Sequence, residues 1–136
     1  MRFFASLRMT VNINMAKTIL FVEDDPFLID IYKKKLGEAG YDIVLAENGE
    51  AALKTIETTA VDLLILDIVM PKIDGWETLR QLKAHPKMQK CKVMIFSNLG
   101  GKAEVEKGLQ MGADRYLIKA NYTPSQVVNE VEKMLA

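Results

Sequence analysis

The chain has 136 residues, 49% of them apolar and 26% charged, the size of one globular domain able to bury a core. Its 18 basic and 18 acidic side chains cancel, no apolar run exceeds four residues, and it has one cysteine (Cys91) and one histidine (His85). These figures exclude a strong positive field for a nucleic-acid backbone, a bilayer-spanning segment, an internal disulfide and a soft-metal ligand set, and they predict a reduced, cytoplasmic protein.

Residues 1–16 are expected to be a disordered extension, or a stretch upstream of a start at Met15, ahead of one domain over 17–136. With Lys17 they carry three basic side chains (Arg2, Arg8, Lys17) and no acid, and their opening, Met1 to Arg8, is too short and interrupted for a secretory signal. Ile19-Leu-Phe-Val22 is a short, continuous, partly β-branched run, as expected of a strand buried on both faces. Asp25-Pro26 then reads as an N-cap with proline at the first helical position. Leu28, Ile31, Tyr32, Leu36 and Ala39 follow at helical spacing up to a stop at Gly40. Tyr41–Leu45 is a weaker second strand, and Asn48 caps a helix carrying Ala52, Leu53 and Ile56. Leu63-Leu-Ile-Leu66 is the third strand, after which Asp74 opens a helix with Glu77 at the capping-box position and Trp76, Leu79 and Leu82 behind it. His85-Pro86, among Lys83, Lys87, Lys90 and Lys92, reads as a solvated loop. Val93-Met-Ile-Phe96 is the fourth strand, Lys102–Met111 a helix ended by Gly112, and Arg115–Ile118 the fifth strand. Thr123-Pro124-Ser125-Gln126 is a capping box leading Val127, Val128, Val131, Met134 and Leu135 into the last helix. Met70, Met94, Met111 and Met134 read as core filler, and Trp76 as packing.

Five βα repeats imply an α/β fold built on one parallel sheet, because parallel neighbours need a crossover helix. Right-handed crossovers wrap helices onto both faces, and ligands in such sheets bind outside the carboxyl ends of the strands. There the first strand delivers Glu23-Asp24-Asp25, the third Asp67, the fourth Ser97 and the fifth Lys119. Taken singly these are ordinary: Asp25 is the cap before Pro26, an acidic pair follows many strands, and a lone lysine is usually solvated. Together, clustered carboxylates repel unless a cation neutralises them. Oxygen ligands without His or Cys suit a hard ion, Mg²⁺ or Mn²⁺. The missing partner is an anion with several oxygens, able to bridge metal, hydroxyl and ammonium.

Val22-Glu23-Asp24-Asp25, Leu66-Asp67-Ile68-Val69-Met70-Pro71, Asp74-Gly75, Ser97 and Lys119 resemble the receiver domain of two-component response regulators. The gaps of 43 residues from Asp24 to Asp67, 30 to Ser97 and 22 to Lys119 match that family, over roughly residues 17–136. The resemblance implies a flavodoxin-like doubly wound (βα)5 fold with strand order 2-1-3-4-5. It implies that Asp67 is the phosphoacceptor, attacking a phosphohistidine on a sensor histidine kinase or phosphotransfer protein. Glu23, Asp24, Asp67 and the backbone carbonyl of Val69 would hold Mg²⁺, with Mn²⁺ as an alternative. Lys119 and Ser97 would each contact a phosphoryl oxygen. Ser97 would move toward the phosphoryl group, and Tyr116, three residues before Lys119, would be the rotating aromatic of the switch. The face of the fourth helix, fifth strand and fifth helix would then bind a downstream target protein. Beyond metal-dependent self-phosphotransfer and slow self-dephosphorylation, no enzymatic activity is implied.

Three positions depart from the family pattern. Ala120 replaces the usual proline, so the bond after Lys119 is either trans or, if cis, strained by about 3–4 kcal/mol. Asn98 replaces a small residue and is expected to crowd the phosphoryl pocket. Val69 puts an apolar side chain where some relatives assist water, which predicts slow self-dephosphorylation. With the last helix running to Ala136, the expectation is a stand-alone receiver, monomeric or weakly dimeric, that signals through protein binding with no direct nucleic-acid contact and no membrane insertion. The alternative is a non-phosphorylated pseudo-receiver acting as a constitutive interaction module. A haloacid-dehalogenase-type phosphatase would want a second aspartate where Val69 stands, and a flavodoxin proper would want a Ser/Thr/Gly-rich loop where three acids stand. Neither fits.

Overall fold

A computed structural model of the chain describes residues 16–136, so the expected disordered extension lies, Ala16 apart, outside the described residues. The five expected strands form as β1 (Thr18–Val22), β2 (Asp42–Ala46), β3 (Leu63–Leu66), β4 (Lys92–Ser97) and β5 (Arg115–Ile118). Between and after them run α1 (Pro26–Glu38), α2 (Gly49–Thr58), α3 (Gly75–Ala84), α4 (Lys102–Gln110) and α5 (Pro124–Leu135). All strand pairs are parallel, in the order β2-β1-β3-β4-β5. The order reverses between β1 and β3, and that reversal opens a crevice beyond the carboxyl ends.

Both faces of the sheet are buried, which is why its strands read as unbroken apolar runs rather than alternating ones. Leu20, Val22, Leu64, Leu66, Val93 and Ile95 pack on one side with Ala52 and Ile56 of α2 and Leu79 and Leu82 of α3. Ile19, Phe21, Leu63, Ile65, Met94, Phe96 and Leu117 pack on the other with Tyr32 and Leu36 of α1 and Val127, Val131 and Met134 of α5. Helix α4 is the exception, burying only Gly108.

Helix boundaries follow the local capping chemistry. Asp25 accepts from the Phe27 N–H, Asn48 from Ala51, and Asp74 from Glu77. Thr123 and Gln126 complete a reciprocal capping box on α5. The box expected on α3 is only half made, because the Glu77 carboxylate turns away from Asp74 to Arg80 and Gln81. Gly40 and Gly112 end α1 and α4 at φ of 100° and 106°, a region open to glycine at little cost. The His85 segment is largely exposed, as expected, but it is ordered rather than a plain loop. His85 caps a single 3-10 turn (Pro86–Met88), its Nδ1 accepts from the Lys87 N–H, and its Nε2 lies 2.7 Å from Glu57 Oε1. Accepting at Nδ1 leaves the ring proton on Nε2, so His85 clamps α3 to the end of α2. Every peptide bond among the described residues is trans, including the one after Lys119.

Candidate functional site

The backbone ladder carries the acids into place. Val22 of β1 pairs with Ala46 on one side and Leu66 on the other, so β1, β2 and β3 end level. The next residues continue the pattern: the Glu23 N–H donates to the Ala46 carbonyl at 3.0 Å and the Asp67 N–H to the Val22 carbonyl at 3.2 Å. Strand β4 runs further, and Ser97 pairs with Ile118, leaving Lys119 just beyond. Four strand ends thus bring Glu23, Asp67, Ser97 and Lys119 to one edge. Asp24 and Asp25 follow in the first loop.

Carboxylate oxygens of Glu23, Asp24 and Asp67 lie within 4.8 Å of one another. The Lys119 ammonium bridges two of them, 2.7 Å from Asp67 Oδ2 and 2.7 Å from Glu23 Oε1. Only the first contact has hydrogen-bond alignment, so Glu23 Oε1 is a buried oxygen with a nearby charge and no hydrogen bond. The other oxygens are held by backbone: Asp67 Oδ1 accepts from the Val69 N–H at 3.0 Å, and Glu23 Oε2 from the Asp25 N–H at 3.2 Å. Burial pushes the Glu23 carboxyl above its ordinary 4.5, outweighing the pull of Lys119. Burial works against the Lys119 charge too, but the close carboxylates of Asp67 and Glu23 prevail and raise it above 10.5. One lysine therefore does not discharge the acid cluster, which stays short of positive charge.

An open cleft of about 530 Å³ exposes this cluster, lined by Glu23, Asp24, Asp25, Asp67, Val69, Asn98, Leu99 and Lys119. The donor set fits a hard divalent cation: oxygen ligands only, one of them orphaned, in a site with room for water. Val69 projects its side chain into solvent, 62% exposed.

Ser97 and Tyr116 sit behind the cleft instead of lining it. Ser97 is fully buried and its Oγ accepts from the Leu99 N–H at 3.2 Å. The Tyr116 hydroxyl donates to the Leu99 carbonyl, so one peptide segment touches both. Tyr116 is half-buried, and burial, with Glu104 and Asp67 nearby, raises its hydroxyl above 10.0. Leu99 carried no sequence signal, since its backbone does the work. Asn98 and Ala120, two separate departures in the sequence, meet in space: the Ala120 N–H donates to Asn98 Oδ1 at 3.1 Å. Asn98 thus reaches across the rim to the neighbouring turn.

The sheet order and the acid–lysine cleft at its carboxyl edge define a flavodoxin-like doubly wound domain with its site at the β1/β3 crevice. The sequence model of the response regulator receiver domain matches residues 19–132, and the chain belongs to that family. The alkaline phosphatase synthesis transcriptional regulatory protein PhoP of Bacillus subtilis is 37% identical over 123 residues, which are 89% of this chain and 49% of PhoP. The chain spans about half the length of such curated relatives. The chemotaxis response regulator CheY4 of Vibrio cholerae superposes with a TM-score of 0.81 at 20% identity, covering 88% of this chain and 99% of CheY4, a likeness of fold. The BeF3-activated receiver domain of Klebsiella pneumoniae RstA superposes at 0.79 with 28% identity, covering 88% of this chain and 98% of RstA's. No helix among the described residues is long and apolar enough to cross a membrane.

Proposed function

We propose that the chain is a phosphoacceptor receiver in which Asp67 takes a phosphoryl group from a phosphohistidine on a sensor kinase or phosphotransfer protein. The observation that carries this reading is the Lys119 bridge between Asp67 and Glu23 inside an under-neutralised acid cluster. An Asp67 oxygen attacks phosphorus, the P–N bond breaks, and the imidazole nitrogen leaves with the electron pair. Aspartate is a weak nucleophile, so the work falls on positioning and on cancelling charge around the transferring group.

Asp67 Oδ1 is aimed by the Val69 N–H, and Oδ2 is freed for attack as Lys119 shifts its ammonium toward the incoming oxygens. Glu23, Asp24, Asp67 and the Val69 carbonyl are the groups to hold Mg²⁺ or Mn²⁺, which supplies the remaining positive charge. Ser97 exchanges its bond from the Leu99 N–H for one to a phosphoryl oxygen. Because Leu99 also holds Tyr116, that exchange is felt on the α4–β5–α5 face, where a downstream protein binds; the reading is of a cytoplasmic protein whose output is protein binding. Val69 has no polar group with which to orient a water, which supports a long-lived aspartyl phosphate.

The test is intact mass after incubation with a small acyl-phosphate donor, with and without Mg²⁺, beside Asp67→Asn. One phosphoryl group gained only with metal, absent from the variant and lost slowly, is the expected result. No gain under any condition would make the chain a constitutive interaction module instead.

A further inference from the structure

Lys119 opens a short 3-10 turn (Lys119–Asn121) after β5, and the Tyr122 N–H donates back to its carbonyl at 3.3 Å. The peptide joining Lys119 to Ala120 is gripped from the other side, where the Ala120 N–H donates to Asn98 Oδ1 at 3.1 Å. A backbone N–H can only donate, so the facing amide atom is the oxygen and the two Nδ2 hydrogens remain free at the cleft rim. Asn98 follows Ser97, whose strand neighbour is Ile118, so this bond straps together the ends of β4 and β5 immediately beyond their ladder. A proline at 120 would have no hydrogen to donate.

The geometry points to Asn98 as a positioning residue for Lys119. Held through both of its hydrogen-bonded groups, the 119–120 peptide has little freedom, and this fixes the direction in which the Lys119 stem leaves the backbone. The ammonium is thereby kept over Asp67 and Glu23, where an incoming tetrahedral anion meets it. A group that orients a metal ligand changes affinity about tenfold or more when removed, and Asn98 stands in the same relation to the cation that meets the anion. The inference rests on the proposed phosphoacceptor role, because it assigns Asn98 to that same site.

Loosening the strap separates two ligands. The anion loses an oriented cation, whereas a metal alone meets carboxylates less fully occupied by lysine. The experiment measures binding of Mg²⁺ alone by calorimetry, and of beryllofluoride at saturating Mg²⁺ by fluorine NMR. It uses the full chain, Asn98→Ala, Ala120→Pro and the double variant, with thermal midpoints alongside. Asn98→Ala is expected to weaken beryllofluoride about tenfold while Mg²⁺ binds as tightly or tighter. Ala120→Pro should do the same, and the double variant should be no worse than either. Equal beryllofluoride affinity in Asn98→Ala and the unaltered chain, parallel loss of both ligands, or additive losses in the double variant would overturn the inference and leave the receiver reading standing. Failure of the unaltered chain to bind either ligand would overturn both. Should Ala120→Pro not fold, as its thermal midpoint would show, the loss of beryllofluoride without loss of Mg²⁺ in Asn98→Ala decides alone.

Discussion

Gly108 is the only residue that α4 buries, and the space beside it is already taken. A Cβ built there lies 2.6 Å from Ile95 Cδ1, 2.8 Å from Tyr116 Cδ2 and 3.1 Å from Tyr116 Cε2. The isoleucine contact is with the free end of a flexible chain, which can swing away. The tyrosine ring is rigid, and its far end is tied to the Leu99 carbonyl. In an unencumbered helix Gly→Ala stabilises by about 0.5–1 kcal/mol through backbone entropy. Here the added methyl must displace the ring, at about 1–3 kcal/mol for overpacking. Expulsion of the ring would instead lose the Leu99 hydrogen bond, at about 1 kcal/mol. Gly108→Ala should therefore be net destabilising, by about 1 kcal/mol. In a Tyr116→Ala background the ring is gone, Ile95 can rotate into the vacated space, and the same change should stabilise by about 0.5–1 kcal/mol. Urea unfolding of the four proteins measures the cycle, and the sign reversal is its signature. Stabilisation by Gly108→Ala in both backgrounds would refute the seating of Tyr116 against α4, and with it the route from Ser97 through Leu99 to that helix.

Glu23→Gln should stabilise the metal-free protein at pH 7, since the buried carboxyl has a raised pKa and its charged form is disfavoured. A raised carboxyl pKa favours the folded state most below 4.5 and loses that benefit as pH rises through the folded value, so the variant's advantage should vanish in acid. Urea unfolding at both pH values, with added Mg²⁺ stabilising only the unaltered chain, checks this; an equal advantage at both would sink it. Gly75→Ala should cost about 3 kcal/mol or more, because its Cβ would fall 2.3–2.6 Å from the Ile68 backbone, which cannot yield as a side chain can. Gly37→Ala, with nothing within 4 Å, should be neutral or slightly stabilising in the same assay. Burial pushes the Cys91 thiol up to about 12, so iodoacetamide at pH 8 should label it only through unfolding. Rapid stoichiometric labelling of native protein would show that the turn leading into β4 opens more readily than its packing implies.

What could be read from the chain alone was what neighbours in sequence decide. Asp25, Asn48 and Thr123 cap helices because a short polar side chain reaches N–H groups two or three residues away. The runs at Ile19, Leu63 and Val93 are strands because two buried faces demand unbroken apolar residues. Alternation of strand and helix then implies a parallel sheet, and the strand-end rule gathers Glu23, Asp24, Asp67, Ser97 and Lys119 before any distance is known. Where one group has several partners in reach, the sequence does not say which it takes: Glu77 leaves its cap for Arg80 and Gln81 one turn on, and His85 pairs at the surface with Glu57, 28 residues away.

Only the folded structure decided that Lys119 bridges two acids yet leaves Glu23 Oε1 without a hydrogen bond, and that Ser97 and Tyr116 share Leu99. It also joined Asn98 to Ala120, 22 residues apart. These contacts depend on directions fixed by register and packing between distant segments, on main-chain groups that every residue possesses, and on the space a glycine leaves empty. None of these properties belongs to a residue's identity, so a string of residues cannot display them.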